Sequence, residues 1–120
     1  MIRPEHKKAM TDYLDAFTRG DLNGVLSLFN ENAVVISPTA GAKKPSEFYP
    51  ILLERSKGTT FKMKMAFAGE TPDTAAILFD YNKALPDGGT KTFDCVDIFT
   101  FDAAGKITEM KIIFDTKNLG

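Results

Sequence analysis

The stretch FKMKMAF, residues 61–67, decides the architecture. Phe61, Met63, Met65 and Phe67 alternate with Lys62, Lys64 and Ala66, and successive side chains of a strand point to opposite faces, so this is the pattern of a strand with one buried side. Before Gly58 the apolar residues recur at helical spacing instead. After residue 67 three further strand-like runs follow, TAAILFDYNK (74–83), TKTFDCVDIFTF (90–101) and KITEMKIIF (106–114), parted by the turn signals PDGG and DAAG. Such Gly and Asp clusters close hairpins. Helices first and a meander afterwards predict an α+β fold, with helices covering one face of a curved antiparallel sheet; strands alternating with helices would point to a parallel sheet.

In the first half, Met10, Tyr13, Leu14 and Phe17 form the buried stripe of a first helix that stops at Gly20. Asp21 suits the N-cap of a short second helix, whose stripe of Leu22, Val25, Leu26 and Phe29 is ended by Asn30, Glu31 and Asn32. AVVIS (33–37) reads as a short strand ending at Pro38, TAGAKK (39–44) as a loop, and Pro45 as the first turn of a third helix.

With 120 residues and 43% apolar content the chain suits one globular domain with a real core. Fifteen basic residues against sixteen acidic ones leave a net charge of −1, without the basic footprint that a phosphate backbone demands; no nucleic-acid partner is expected. No apolar run approaches the roughly 20 residues of a membrane span, and the start MIRPEHKKAM lacks the apolar core of a signal peptide. A cytoplasmic protein without a membrane partner is the expectation. A single cysteine and a single histidine make neither an internal disulfide nor a zinc site, so no metal is expected and Cys95 reads as a small core residue. GxGxxG, Walker-type glycine loops, GxSxG and CxxC are all missing from the sequence, so no cofactor is implied. His6 reads as a packing or solvated histidine, and Lys43 with Lys44 as a solvated loop able to meet an anion.

The unusual residue is Asp97. In FDCVDIFTF (93–101) it shares a face with Phe93, Cys95, Phe99 and Phe101, and an ionised carboxylate costs too much in such surroundings unless it is paired, protonated or exposed. An apolar site favours the protonated form, which turns the group from acceptor into donor. Tyr13, on the buried stripe of helix one, needs a partner for its hydroxyl, and Asp97 or Tyr49 could supply it. Two donors converging in an apolar pocket could hold a developing enolate or phenolate oxygen.

These residues bring a family into view. PEH (4–6), Tyr13, GDLNGVLSLF (20–29), Pro38, EFY (47–49), VDIFTF (96–101), AGKI (104–107) and IFDTKN (113–118) come in an order that resembles the Δ5-3-ketosteroid isomerases, within the nuclear transport factor 2-like and SnoaL-like superfamily, over almost the whole chain. The resemblance implies a cone-shaped, cystatin-like fold enclosing an apolar pocket. It implies an oxyanion hole of Tyr13 and a protonated Asp97, the arrangement known for a carboxylic acid kept neutral by its site, with Tyr49 supporting Tyr13. The pocket wall is then expected to draw on Phe17, Tyr49, Met63, Met65 and Phe79, and farther along on Phe99, Met110, Ile112 and Phe114. The partner implied is a small apolar ligand. Family members dimerise through the opposite sheet face, where Val96, Ile98, Ile107 and Ile113 are expected to point outward, so a homodimer is expected.

One position departs from the family. Its general base is an aspartate before the proline that ends the first strand, and VVISP (34–38) places Ser37 there. A serine hydroxyl does not take a substrate proton near neutral pH without a base of its own. Three readings stay open: an isomerase or cyclase whose base is unrecognised or supplied by the substrate, a binding protein for an apolar carbonyl or phenol ligand, and an interaction domain in which Tyr13, Tyr49 and Asp97 are a satisfied core network.

Overall fold

The computed structural model describes residues 1–119. Three helices come in the first half of the chain, α1 (Pro4–Thr18), α2 (Leu22–Leu26) and α3 (Pro45–Arg55). The strands are β1 (Phe29–Ser37), β2 (Gly41–Lys43), β3 (Thr60–Ala68), β4 (Thr74–Ala84), β5 (Thr90–Phe101) and β6 (Ile107–Ile113). They form one curved, unclosed sheet in the order β2-β1-β6-β5-β4-β3. The four later strands are the expected antiparallel meander, and β1 joins it parallel to β6.

Local chemistry sets the helix junction. Gly20, at φ 68°, ends α1 in a Schellman motif, in which Gly20 N–H donates to Phe17 O at 3.0 Å and Asp21 N–H to Ala16 O at 2.9 Å. Asp21 then caps α2 by accepting from Gly24 N–H at 2.9 Å. Met10, Tyr13, Leu14 and Phe17 are all buried, as the helical spacing requires.

Four expectations need correction. The polar run Asn30-Glu31-Asn32 does not end a helix; it lies inside β1, which begins at Phe29. The pairing with β6 shifts register between Phe29 and Val34, and Asn30 reaches the β5–β6 turn, donating to Asp102 at 2.9 Å, so the strand tolerates the polar residues at an irregularity. Part of the expected loop 39–44 is β2, folded back on β1 with Ser37 opposite Gly41.

Met65 is the third correction. Met63 pairs with Phe79 but Met65 with Leu78, so the register shifts across Lys64, and an extra residue on one strand reverses the faces beyond it. Met63 packs against the core, whereas Met65 and Phe67 emerge on the outer face, 53% and 42% exposed. Lys64 at the bulge bridges Asp80 at 2.9 Å and Asp94 at 3.2 Å, two carboxylates that strand alternation turns away from the interior. The fourth concerns Ile107. A shift between Thr100 and Phe101 in the β5–β6 pairing turns it inward, and it is fully buried. Val96 is half-buried, while Ile98 and Ile113 keep the outer positions.

Candidate ligand cavity

The helices and the inner sheet face enclose a cavity of about 130 Å³. Asp97 stands at its deep end. Its neighbours across the sheet are Ile77 and Ile112, and it is 2% exposed. Burial among these apolar walls pushes its carboxyl up to about 8, with the Cys95 thiol opposing that shift weakly. At neutral pH the protonated form therefore predominates, as expected for a carboxyl group on the apolar face of β5.

Among the described residues, the only group bonded to the Asp97 side chain is that thiol, 3.8 Å from Oδ1. No sealed side-chain oxygen among them lacks a partner, so Oδ2, for which they supply no donor, opens onto the cavity.

Tyr13 also lines this space but does not bond Asp97. Its hydroxyl lies 2.7 Å from that of Tyr49, and Tyr49 donates onward to Met110 Sδ at 3.8 Å. Phe17, Phe29 and Phe99 meet the Tyr13 ring edge-on, with centroids 6.1, 6.3 and 5.8 Å away. The aromatic cage fixes the ring, and burial raises both phenols well above their ordinary range.

Ser37 closes β1 at the cavity wall, 7% exposed. Its hydroxyl accepts from Thr39 N–H at 3.1 Å and Ala40 N–H at 3.3 Å and meets Thr39 Oγ1 at 3.0 Å. That oxygen is occupied in holding the β1–β2 turn, which removes it as a base on geometric grounds as well as chemical ones.

Of the expected wall residues, Phe17, Phe79, Ile112 and Phe114 line the cavity. Tyr49, Phe99 and Met110 are completely buried without lining it, Met63 packs on the core outside it, and Met65 is on the other side of the sheet. Phe61, Tyr81, Phe93 and Cys95 complete much of the wall and are not among the expected residues, although strand alternation puts Phe93 and Cys95 on the Asp97 face. Thr39, in a turn without periodicity, gives no signal in the sequence. Exposed Thr39 and Leu119 mark the mouth. Among the described residues, Asp97 is the only carboxyl group lining the cavity, and no histidine, lysine or arginine lines it. His6 lies elsewhere, stacked on Phe101 with centroids 4.0 Å apart. No group of three or more His, Cys, Asp or Glu side chains able to hold a metal occurs among the described residues, and none of their helices is long and apolar enough to cross a membrane.

Helices packed on an unclosed curved sheet around an apolar cavity are the architecture of the nuclear transport factor 2-like class. Within that class the chain belongs to the SnoaL-like domain family, whose model matches residues 10–110. Among solved structures it is similar to SalBIII, an epoxide hydrolase/cyclase-like enzyme of pyran ring formation in the polyether salinomycin, at 18% identity and TM-score 0.81 over 95% of this chain and 93% of that one. It is similar to the Δ5-3-ketosteroid isomerase from Mycobacterium sp. at 18% identity and TM-score 0.77, covering 95% of both chains. It is also similar to Rv0760c from Mycobacterium tuberculosis, solved with estradiol-17β-hemisuccinate, at 18% identity and TM-score 0.79 over 96% of this chain and 97% of that one. At these identities the likeness is one of fold.

Proposed function

We propose that this protein binds a small apolar ligand through a carbonyl or phenol oxygen, held at the deep end of the cavity by Asp97 and Tyr13, and that its ketosteroid isomerase activity is weak or absent. The observation that carries the reading is Asp97 itself. A carboxyl group 2% exposed among apolar side chains, with one oxygen open to a cavity, is costly to keep, and as a protonated donor it gains a use there. Tyr13 joins it when the tyrosine pair reverses, so that Tyr49 donates to Tyr13 and Tyr13 to the ligand. Without a ligand, Tyr13 and Tyr49 satisfy each other.

Size narrows the ligand. The cavity's 130 Å³ is close to the roughly 150 Å³ apolar cavity that admits benzene, so the buried part of the ligand is about one ring. Four fused steroid rings exceed that, unless the mouth widens. Ser37 supplies no base, so the chemistry available is polarisation of a carbonyl rather than complete proton transfer.

Binding of 2-cyclohexenone, followed by calorimetry or NMR line shifts, tests the reading. Affinity should be greatest near pH 6 and fall as pH rises through about 8, where Asp97 loses the proton it donates. Asp97→Asn should bind more weakly and lose that pH dependence. An affinity independent of both pH and Asp97 would sink the donor role.

The reading extends to a homodimer through the outer sheet face. Met65, Phe67, Ile98 and Ile113 are 53%, 42%, 39% and 44% exposed on that side, where a solvated antiparallel sheet favours polar residues, and the same face is the expected dimer surface. Sedimentation at micromolar protein should give twice the chain mass, and Ile113→Lys should shift the species to monomer. A concentration-independent monomer in the wild type overturns the dimer without touching the cavity.

A further inference from the structure

The cavity has a second polar pole at its mouth, and a count of hydrogens shows which side chain there is free to act. A hydroxyl oxygen carries one hydrogen and two lone pairs. Both lone pairs of Ser37 Oγ are taken by Thr39 N–H at 3.1 Å and Ala40 N–H at 3.3 Å. Its contact with Thr39 Oγ1 at 3.0 Å must therefore use the Ser37 hydrogen, with Thr39 accepting. The hydrogen of Thr39 itself has no protein acceptor among the described residues. Thr39 is exposed, lines the cavity and has its orientation fixed from below by Ser37. Tyr13, the hydroxyl at the deep end, is paired with Tyr49 until a ligand takes its hydrogen.

We infer that Thr39 is a specificity-determining residue: its hydroxyl donates to a second oxygen of the bound molecule, so the ligand class is a one-ring compound with oxygen functions at two ends, one reaching Asp97 and the other, an acceptor, reaching the mouth. The inference rests on the ligand-binding reading above and deepens it. The deep oxygen meets donors in a dry site, and the outer one replaces water on a hydroxyl that already points its hydrogen away from Ser37. Between the two poles the wall is predominantly aromatic and aliphatic, which suits a ring. The residue that replaces the family's base thus acquires a role of its own, as the support that orients Thr39.

The test compares cyclohexanone, with one oxygen, against cyclohexane-1,4-dione and 4-acetylcyclohexanone, which place a second acceptor at two different reaches. Dissociation constants are measured by NMR titration at pH 6.5 for wild type, Thr39→Val and Thr39→Ser. In the wild type at least one two-oxygen probe should bind more tightly than cyclohexanone by more than the statistical factor of two. The ratio should fall about three- to tenfold in Thr39→Val, the range of one neutral hydrogen bond, and return in Thr39→Ser. Cyclohexanone affinity should stay within twofold in all three proteins, which a loss of fold would not allow. If the ratio is the same in Thr39→Val as in the wild type, Thr39 selects nothing and the inference falls while the Asp97 reading stands. If the wild type binds none of the probes at millimolar concentration, the ligand-binding reading fails and takes the inference with it.

Discussion

Asp97→Asn is expected to make the protein more resistant to alkali than the wild type. In the folded chain burial holds the Asp97 proton until about pH 8, while in the unfolded chain the same carboxyl titrates near ~3.9. Between these values the folded state binds more protons than the unfolded one, so stability falls as pH rises. The contribution is intact below about pH 4 and is lost once pH has risen through about 8. At about 1.4 kcal/mol per unit the loss is of order 5 kcal/mol, a large share of the roughly 5–15 kcal/mol of a typical domain. An amide of the same shape carries no proton to lose. Urea unfolding of both proteins from pH 4.5 to 9.5 isolates this residue, since every other titrating group is shared and cancels in the difference. The difference should grow in favour of the asparagine variant by several kcal/mol towards high pH. A flat difference would mean that Asp97 ionises normally where it is buried, and the donor assignment would have to be abandoned.

Why this residue can be picked out from sequence, and others cannot, follows from what a periodic pattern encodes. Alternation in β5 places Asp97 on the inner face unambiguously, because the strand runs without irregularity from Thr90 to Thr100 against β4. Helical spacing likewise fixes Tyr13. The same rule fails at Met65 and Ile107, since a bulge inserts one residue and inverts every later side chain, and nothing in FKMKMAF marks Lys64 as the extra residue. What surrounds it is non-local: Lys64 meets Asp80 and Asp94 from two other strands. β1 is longer than its apolar pattern suggests for a related reason, as Asn30 is tolerated through a side chain 72 positions away. Thr39 lies beyond the reach of the sequence altogether, because its role depends on which lone pairs of Ser37 are already filled, a property of three-dimensional hydrogen bonding and not of residue type.

Ser37→Asp is expected to create a base at the position where the ketosteroid isomerases that the sequence resembles carry one, and the local geometry favours it. The Thr39 and Ala40 N–H groups that now donate to Ser37 would donate to the new carboxylate, and backbone donors hold a carboxylate in its ionised form. The pair of carboxyl groups would then divide the work, with residue 37 ionised and Asp97 neutral, because their surroundings push them apart. On 3-cyclohexenone the new carboxylate removes a proton from the carbon between the carbonyl and the alkene. Tyr13 and Asp97 hold the resulting dienolate oxygen, and the proton returns at the far end of the diene to give conjugated 2-cyclohexenone, which absorbs in the ultraviolet. A positioned base contributes about 10²–10⁴ in rate, so the variant should exceed the wild type by that factor. Adding Asp97→Asn should remove about 10²–10³ of it, the usual cost of one oxyanion donor. A one-ring ketone is the right substrate for a cavity of 130 Å³; a Δ5-3-ketosteroid should show little or no gain. Gain on the steroid as well would mean that the mouth at Thr39 and Leu119 widens to admit it. If the variant is folded, binds 2-cyclohexenone and still turns over neither substrate, residue 37 lies out of reach of the carbon next to the held carbonyl, and loss of the base cannot be what separates this protein from an isomerase.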